Sequence, residues 1–360
     1  MRRSVLALFG AVAVSAIAIA APASAQFYKG KTLTLLINYP PGGPTDIEGR
    51  IIARHIANHI PGAPTVIVKN MGGASGNLGA NFLGESAAKD GLTLGFFTWN
   101  PMDQVLGSEG LRVKYNDFVF IAGVQQPSVV YGRKDIKPGI TRGADIVKAS
   151  GFRVGGLGPT STQMLYAALS LDLLGVKYSA VAGYKGLKEV ETAVLQNEVQ
   201  VSNSSLPGFR ASIDPTMIKT GVAIGYWHFD IEDAAGNFAP SPVVPDVPSF
   251  LQVYKELKGK DAMPSGPQWE ALRLVAKIMN SMFRTSFLPP GSPAEAVKDT
   301  RAAFVAMWKD EAFLSEYERT VRYRAGLVTG DDGQTLIADL GKIKPELVAF
   351  IRDYTDKIGK

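Results

Sequence analysis

The chain of 360 residues has no cysteine. That excludes disulfide frameworks, thiolate metal sites, iron–sulfur clusters and a cysteine nucleophile together. Histidine is nearly as scarce, with three residues: His55, His59 and His228. His55 and His59 stand four apart, on one face of an expected helix. A zincin needs Glu directly after the first His, and that position is Ile56. The pair reads as solvated helix histidines, and no metal is expected. No G-x-S-x-G elbow and no G-x-x-x-x-G-K-[ST] loop occurs, so neither a hydrolase nucleophile nor a P-loop is signalled. Past the first 25 residues, no apolar run reaches the roughly 18 residues needed to span a bilayer. The charge balance is thin as well: Lys+Arg 38 against Asp+Glu 33, a net +5. The basic residues are scattered and not striped with aromatics, so no nucleic-acid partner is expected.

What is present is the make-up of a folded protein, 46% hydrophobic and 20% charged, with enough length for two domains. Arg2 and Arg3 precede an apolar run from Val5 to Ala21, and Ala23-Ser24-Ala25 follows. This is the layout of a secretory signal peptide cleaved after Ala25, which implies export to a bacterial periplasm. The remainder alternates strand and helix. Thr32–Tyr39 reads as a strand, Pro40–Pro44 as a breaking loop and Thr45–Ile60 as a helix with isoleucines near helical period. The unit repeats at 65–88, and Leu92–Thr98 is a third strand. A second α/β block runs through Phe152–Gly155, Ser161–Leu174, Tyr178–Ala182, Leu187–Asn197 and Val199–Asn203. Val222–Trp227 looks like a strand returning from that block. Residues 228–248, rich in Pro, Gly, Asp and Asn, read as a surface loop. Helices are expected at 268–282, 293–309, 311–323 and 344–356. The expected organisation is residues 26–123 as the first lobe, 124–222 as the second, and 223–360 returning to the first.

The informative features are the joints between glycine-containing loops and helices. Thr45-Asp46-Ile47-Glu48 has capping-box spacing, as do Thr160 to Gln163, and Ser75 or Asn77 could cap the second helix. Each joint follows a strand. Each therefore sets free backbone N–H groups and the positive end of a helix at the edge of a sheet, where anions bind. The alternative is that these are ordinary αβ turns, which any α/β domain needs. Gly73-x-x-Gly76-x-x-Gly79 and Gly156-x-Gly158-x-x-Ser161 both depart from the dinucleotide pattern, and no cofactor is expected.

These residues resemble a known family, the extracytoplasmic substrate-binding proteins of tripartite tricarboxylate transporters, or Bug receptors. The motifs that carry the resemblance are P-P-G-G-x-T-D at Pro40–Asp46, V-K-N-M-G-G-A-S-G-N-L-G-A at Val68–Ala80, and the strand Ala88–Leu94. They continue with the G-x-G loop at Gly156–Ser161, Y-K-G at Tyr184–Gly186, P-D-V-P at Pro245–Pro248 and P-x-G-x-P at Pro289–Pro293. The resemblance implies a two-lobed α/β periplasmic binding protein of type II, each lobe a mostly parallel sheet flanked by helices. It implies a non-enzymatic, monomeric receptor that takes a small organic acid in its cleft and docks to membrane permease subunits. A ligand sensor for a two-component system and an exported hydrolase are the alternatives. Carried over position by position, the ligand contacts would be Tyr39, Pro41, Gly42, Gly43, Thr45, Asp46, Gly73, Ala74, Ser75, Gly76, Thr98 and Asn100 in the first lobe. In the second they would be Gly158, Thr160, Ser161, Thr162, Gln163, Tyr184 and Asn203. Trp99, where a smaller residue is expected beside the site, and Tyr184 tilt the expected ligand towards an aromatic or hydrophobic-tailed acid.

Overall fold

The computed structural model describes residues 26–359. The expected signal peptide and its cleavage site lie outside the described residues. The elements in chain order are β1 (Thr32–Ile37), α1 (Pro44–Ile56), β2 (Thr65–Asn70), α2 (Asn77–Glu85), β3 (Thr93–Thr98), α3 (Pro101–Leu106), β4 (Val119–Val124) and β5 (Ser128–Arg133). Then come β6 (Arg153–Gly155), α4 (Thr162–Leu174), β7 (Ser179–Val181), α5 (Leu187–Leu195), β8 (Val201–Ser205), the short α6 (Leu206–Gly208) and β9 (Ala223–His228). The chain ends with β10 (Ile231–Glu232), β11 (Phe238–Ala239), α7 (Phe250–Lys258), α8 (Pro267–Ser281), β12 (Arg284–Leu288), α9 (Ala294–Met307), α10 (Glu311–Val321), β13 (Leu327–Thr329), α11 (Gly330–Asp339) and α12 (Pro345–Ile358).

Two sheets form the lobes, in the orders β13-β4-β12-β3-β1-β2 and β7-β6-β8-β5-β9. Neither is mostly parallel, contrary to the expectation. In the first, β1 pairs parallel with β2 and β3, but β12 runs antiparallel to β3 and β4, and β13 antiparallel to β4. In the second, β6 is parallel to β7 and β8, and β5 is antiparallel to β8 and β9. The chain crosses between the sheets at β5, which enters the second directly from β4, and at β12, which returns to the first after α7 and α8. These two strands and the edge strand β13 supply the antiparallel pairs. The strand Ala223–His228, expected with the returning segment, sits at the edge of the second sheet.

β12 had no counterpart among the expected strands. Its first three residues, Arg284-Thr285-Ser286, are polar, yet all five positions are buried. The strand lies between β3 and β4, covered on both faces, a place normally filled by apolar residues. The helices behave more as their periodicity suggests. Ile51, Ile52 and Ile56 of α1 pack with Leu33, Leu35 and Phe96 of the sheet and with Phe304 and Met307 of α9. His55 and His59 are not solvated: His55 Nε2 lies 2.7 Å from Glu316, joining α1 to α10, and His59 Nε2, in the turn after α1, lies 3.0 Å from Asp310 at the α10 N-cap. The 228–248 segment is no plain loop, since it carries the β10–β11 hairpin. His228 anchors it. Nε2 accepts the Ser241 N–H at 2.9 Å, so the ring proton is on Nδ1 and is donated to the Val247 carbonyl at 2.9 Å. Burial pushes the His228 pKa down, against the opposing pull of Asp230, Asp246 and the Val247 and Pro248 backbone bonds. Finally, α12 touches both lobes: Arg352 donates to the Leu106 carbonyl and Tyr354 to Asp172 of α4.

Candidate functional site

A cavity of about 130 Å³ lies between the lobes. The first lobe contributes the β1–α1 joint and the end of β3, and the second contributes Leu157, α4 and the start of α5. Six of the sequence candidates line it: Tyr39, Pro41, Gly43, Thr45, Thr98 and Gln163. The lobes meet around it. A Cβ on Gly158 would stand 2.9 Å from Ser75 Oγ, one on Gly186 3.3 Å from the Pro40 ring, and one on Gly208 2.4 Å from that of Pro44. Glycine at 208 is therefore a close-approach residue across the cleft.

Two helices present uncapped N-termini to this cavity. α1 begins at Pro44 with Gly43 as N-cap, and α5 begins at Leu187 with Gly186 as N-cap; neither has a side-chain cap. The first N–H groups of a helix have no intrahelical acceptor, and together with the helix dipole they favour an anion. The capping box expected at Thr45–Glu48 is not formed. Pro44 already supplies the first helical turn, which moves Thr45 and Glu48 inside the helix, where Thr45 Oγ1 turns to Thr98 Oγ1 at 2.7 Å. Thr160 is no cap either. Ser161 caps α4, accepting the Met164 N–H at 3.3 Å and donating to the Gly158 carbonyl at 2.7 Å. Neither Ser75 nor Asn77 caps α2; Gly76 holds that position with φ +94° and no side-chain cap.

Glu48 forms the floor beneath the cavity. It is 0% exposed and paired with Arg284 of β12, 1% exposed, with Arg284 Nη2 2.6 Å and Nε 2.8 Å from Glu48 Oε1. Glu48 Oε2 accepts from Tyr317 at 2.9 Å and from Gln126 Nε2. Burial pushes the Glu48 pKa up, and the Arg284 charge with the Tyr317, Arg284 and Gln126 hydrogen bonds pulls against it. Arg284 also donates through Nη1 to Thr98 Oγ1 and, across the lobe boundary, through Nη2 to Ser205 Oγ at 3.2 Å. Asn38 locks the same corner: Nδ2 donates to the carbonyls of Thr98 at 2.9 Å and Gly76 at 3.3 Å, and Oδ1 accepts the Thr98 N–H.

The other candidates serve the framework. Asp46 accepts from the Gly42 N–H, from Arg50 Nε and from Asn70, so its carboxylate is spent within the first lobe. Burial would raise its pKa, but those hydrogen bonds outweigh it and hold the carboxyl below its usual range. Residues 73–76 all have positive φ, and Tyr39 clamps that loop by donating to the Ser75 carbonyl at 2.7 Å. Asn100 is buried and donates to Asp103. Asn203 is buried in β8 and accepts from Ser128. Thr162 donates to Gln163 Oε1 at 3.3 Å. Thr160 faces a separate open pocket bounded by Glu109 and Arg352. The Tyr184 ring packs beside Tyr39, Leu157 and Leu187, but its hydroxyl donates to Glu198, and burial with that bond pushes its pKa to about 12. Trp99 is wholly buried, donating to the Met282 carbonyl and packing edge-on against Tyr115, so it offers nothing to a ligand. Sequence reading missed Glu48 as an ion-pair partner, missed Arg284 altogether, and took the α5 start only as the Tyr184–Gly186 turn.

No protein-family model matches the chain. Among curated proteins it is similar to protein BugT of Bordetella pertussis, 39% identical over 89 residues, covering 25% of this chain and 26% of the relative. It is also similar to a protein from the TAR-I ttuE-ttuC' intergenic region of Agrobacterium vitis, 27% identical over 233 residues, covering 62% of this chain and 61% of the relative. The chain thus matches less than two thirds of either relative's length. Among solved structures it is similar to the periplasmic binding protein BugD, with a TM-score of 0.64 at 19% identity over 92% of this chain and 99% of that one. MatC of Rhodopseudomonas palustris with bound malate gives 0.64 at 20% identity, over 91% and 99% of the two chains. A further R. palustris protein with adipate gives 0.64 at 19%, over 90% and 98%. The fold is that of the periplasmic binding proteins, and BugT and BugD carry the family name that the loop motifs resemble.

Proposed function

We propose that this chain is an exported, non-enzymatic solute receptor that captures a small carboxylate between its lobes and delivers it to the permease subunits of a tripartite tricarboxylate-type transporter. The observation that carries the reading is the convergence of two uncapped helix N-termini on one interlobe cavity. Two helix starts without side-chain caps that line one cavity favour a negative group in it, through their first N–H groups and their dipoles. The similar structures that hold malate and adipate support the carboxylate class. The volume supports a small one: about 130 Å³ is well under the roughly 300–1,000 Å³ of sites for drug-sized ligands. The buried Trp99 removes one of the two reasons to favour an aromatic acid, and Tyr184, the other, does not line the cavity. The lining contains one carboxylate, Glu189, and its Oε2 is taken by the Lys185 N–H, which supports binding without turnover. Among the described residues no helix is long and apolar enough to cross a membrane. We place the protein in the periplasm as a monomer, cut after Ala25, with lobe closure as the signal to the permease.

The test is a thermal-shift screen of residues 26–360, refolded to strip carried-over ligand, against aliphatic di- and tricarboxylates. At about 100 times Kd, binding adds about 2.7 kcal/mol and raises Tm by several degrees. A shift with a small subset of acids is the expected result. No shift with any acid would refute the carboxylate reading.

A further inference from the structure

A second cavity, of about 420 Å³, shares no lining residue with the interlobe one. The Glu48–Arg284 pair separates them. Gln126, in the lining of the second cavity, donates to Glu48, and Thr98, in the lining of the first, accepts from Arg284. The volume falls within the roughly 300–1,000 Å³ of small-ligand sites. Part of the wall comes from the chain crossings: Gln125–Pro127 joins β4 to β5, and Asn280 and Ser281 precede β12. The opposite wall is α8. Trp269, Arg273, Ala276, Lys277 and Asn280 all line the cavity and recur at helical period, so α8 turns one face to it.

Three kinds of group meet in this lining. The first is aromatic: Phe229 and Phe250 stand 6.4 Å apart between ring centroids, and Phe238 and Trp269 5.4 Å. The second is cationic. Arg273 is held by Glu232 and Glu270, and Arg324 by Glu311 and Glu318. Lys277 is exposed and has no ion-pair partner among the described residues. The third is a set of acceptor oxygens. Gln126 is 0% exposed, and its Nε2 faces the Glu48 carboxylate, which can only accept while it pairs with Arg284. Asn280 Nδ2 donates to the Asp230 carbonyl at 3.2 Å. Both amide orientations are thereby fixed, and Gln126 Oε1 and Asn280 Oδ1 are left buried without a protein donor. Such oxygens are costly unless a donor meets them. Asp230 adds a negative charge beside Asn280: its Oδ2 accepts the Leu251 N–H at 3.0 Å, and its Oδ1 has no hydrogen bond among the described residues.

A ring, a carboxylate for Lys277 and a cationic donor for these oxygens are the parts of one class of molecule. We propose that this cavity is a second ligand site, which takes an aromatic α-amino acid with its ring among the aromatic side chains, its carboxylate on Lys277 and its ammonium at the oxygens of Asp230, Asn280 and Gln126. The inference does not rest on the reading of the interlobe cavity as a carboxylate site, because no lining residue is common to the two.

The experiment is calorimetric titration of the refolded protein with L-phenylalanine, L-phenyllactate and 3-phenylpropionate. The three share a ring and a carboxylate and carry an ammonium, a hydroxyl or hydrogen on the α-carbon. Hydrogen bonds from a charged donor predict that L-phenylalanine binds about 10- to 150-fold more tightly than 3-phenylpropionate, with L-phenyllactate between them. No binding of L-phenylalanine, or equal binding of all three, would overturn the proposal. Two variants place the ligand. Lys277→Gln, at an exposed position, should weaken L-phenylalanine about tenfold by removing the partner of its carboxylate. Asp230→Asn keeps an oxygen for the Leu251 N–H, so it should weaken L-phenylalanine and leave 3-phenylpropionate, which has no ammonium, unchanged. Equal effects on both ligands would mean that Asp230 acts through the fold, and would overturn its assignment. Gly43→Leu fills the interlobe cavity and should leave the L-phenylalanine affinity within about twofold, as expected of independent sites. Loss of binding in Gly43→Leu together with full binding in Lys277→Gln would put the amino acid in the interlobe cavity and overturn the proposal. Failure of every aliphatic acid in the thermal-shift screen, with L-phenylalanine still bound, would sink the carboxylate reading of the interlobe cavity and leave this site standing.

Discussion

Replacing Arg284 by methionine should be among the most damaging single changes in the chain. The magnitude follows from the geometry. With 2.6 Å between Arg284 Nη2 and Glu48 Oε1, the attraction is about 6 kcal/mol at an effective dielectric constant near 20. Bringing each ion out of water costs several kcal/mol. The pair as a whole therefore contributes little net stability. Removing one member is another matter, because Glu48 is fully buried and would keep its desolvation cost without its counter-charge. Arg284→Met should cost about 3–5 kcal/mol, and Glu48→Leu/Arg284→Met should recover most of that loss. Urea denaturation followed by far-UV circular dichroism measures both, read as the midpoint shift at constant slope. Two results would refute the reasoning: a single mutant costing less than about 1 kcal/mol, or a double mutant as unstable as the single. The first would mean that the site admits water, and the second that Arg284 matters by its shape.

Four further expectations are open to direct test. Gly43→Leu places a side chain in the cavity lining at a position with ordinary φ and no atom nearer than 3.9 Å, so titration with the cognate acid should show binding abolished while Tm holds. Gly76→Leu should instead destabilise by about 1–2 kcal/mol, since φ is +94° and a Cβ would lie 2.5 Å from Asn38 Nδ2; an unchanged urea midpoint would contradict this. Ser161→Ala removes the α4 cap and should cost about 0.5–2 kcal/mol in a denaturation series, with ligand affinity within about threefold if the hydroxyl serves only the helix. His228 has a pKa below its unfolded value of about 6.5, so the unfolded chain takes up a proton there before the folded one does. The stability it contributes is complete above that value and is lost as pH falls from about 6.5 through the lowered folded value. The Tm gap between the unmutated protein and His228→Gln should narrow from pH 7.5 to pH 5.5, and a gap that widens would reverse the assignment.

The sequence by itself determined the local units. β1, the proline–glycine loop and α1 are legible because apolar period, breaker residues and helix starts are properties of adjacent residues. The same holds for α4, α5, α8, α9, α10 and α12, whose observed ends lie within a few residues of those expected, whereas α7 and α11 were not expected. The family resemblance, carried over position by position, also named six of the lining residues, which fall at the ends of strands and the starts of helices, where such a fold opens to a ligand. The caps were misplaced. Proline at the first helical position and glycine before it satisfy a helix start as well as threonine does, and the pattern cannot say which will be used. Asp46 shows the limit of reading a side chain by type: its carboxylate is consumed by Gly42, Arg50 and Asn70, the first two four residues to either side and the third on the next strand.

Tertiary structure alone decided the floor of the site. β12 is polar in sequence and fully buried in place, so its burial comes from the strands on either side and not from its own composition. Glu48 and Arg284 are 236 residues apart, and nothing in either neighbourhood signals the other. A buried charge is tolerated only where a partner arrives with matching donors and acceptors, and that requires the chain to return from the second lobe to set β12 between β3 and β4.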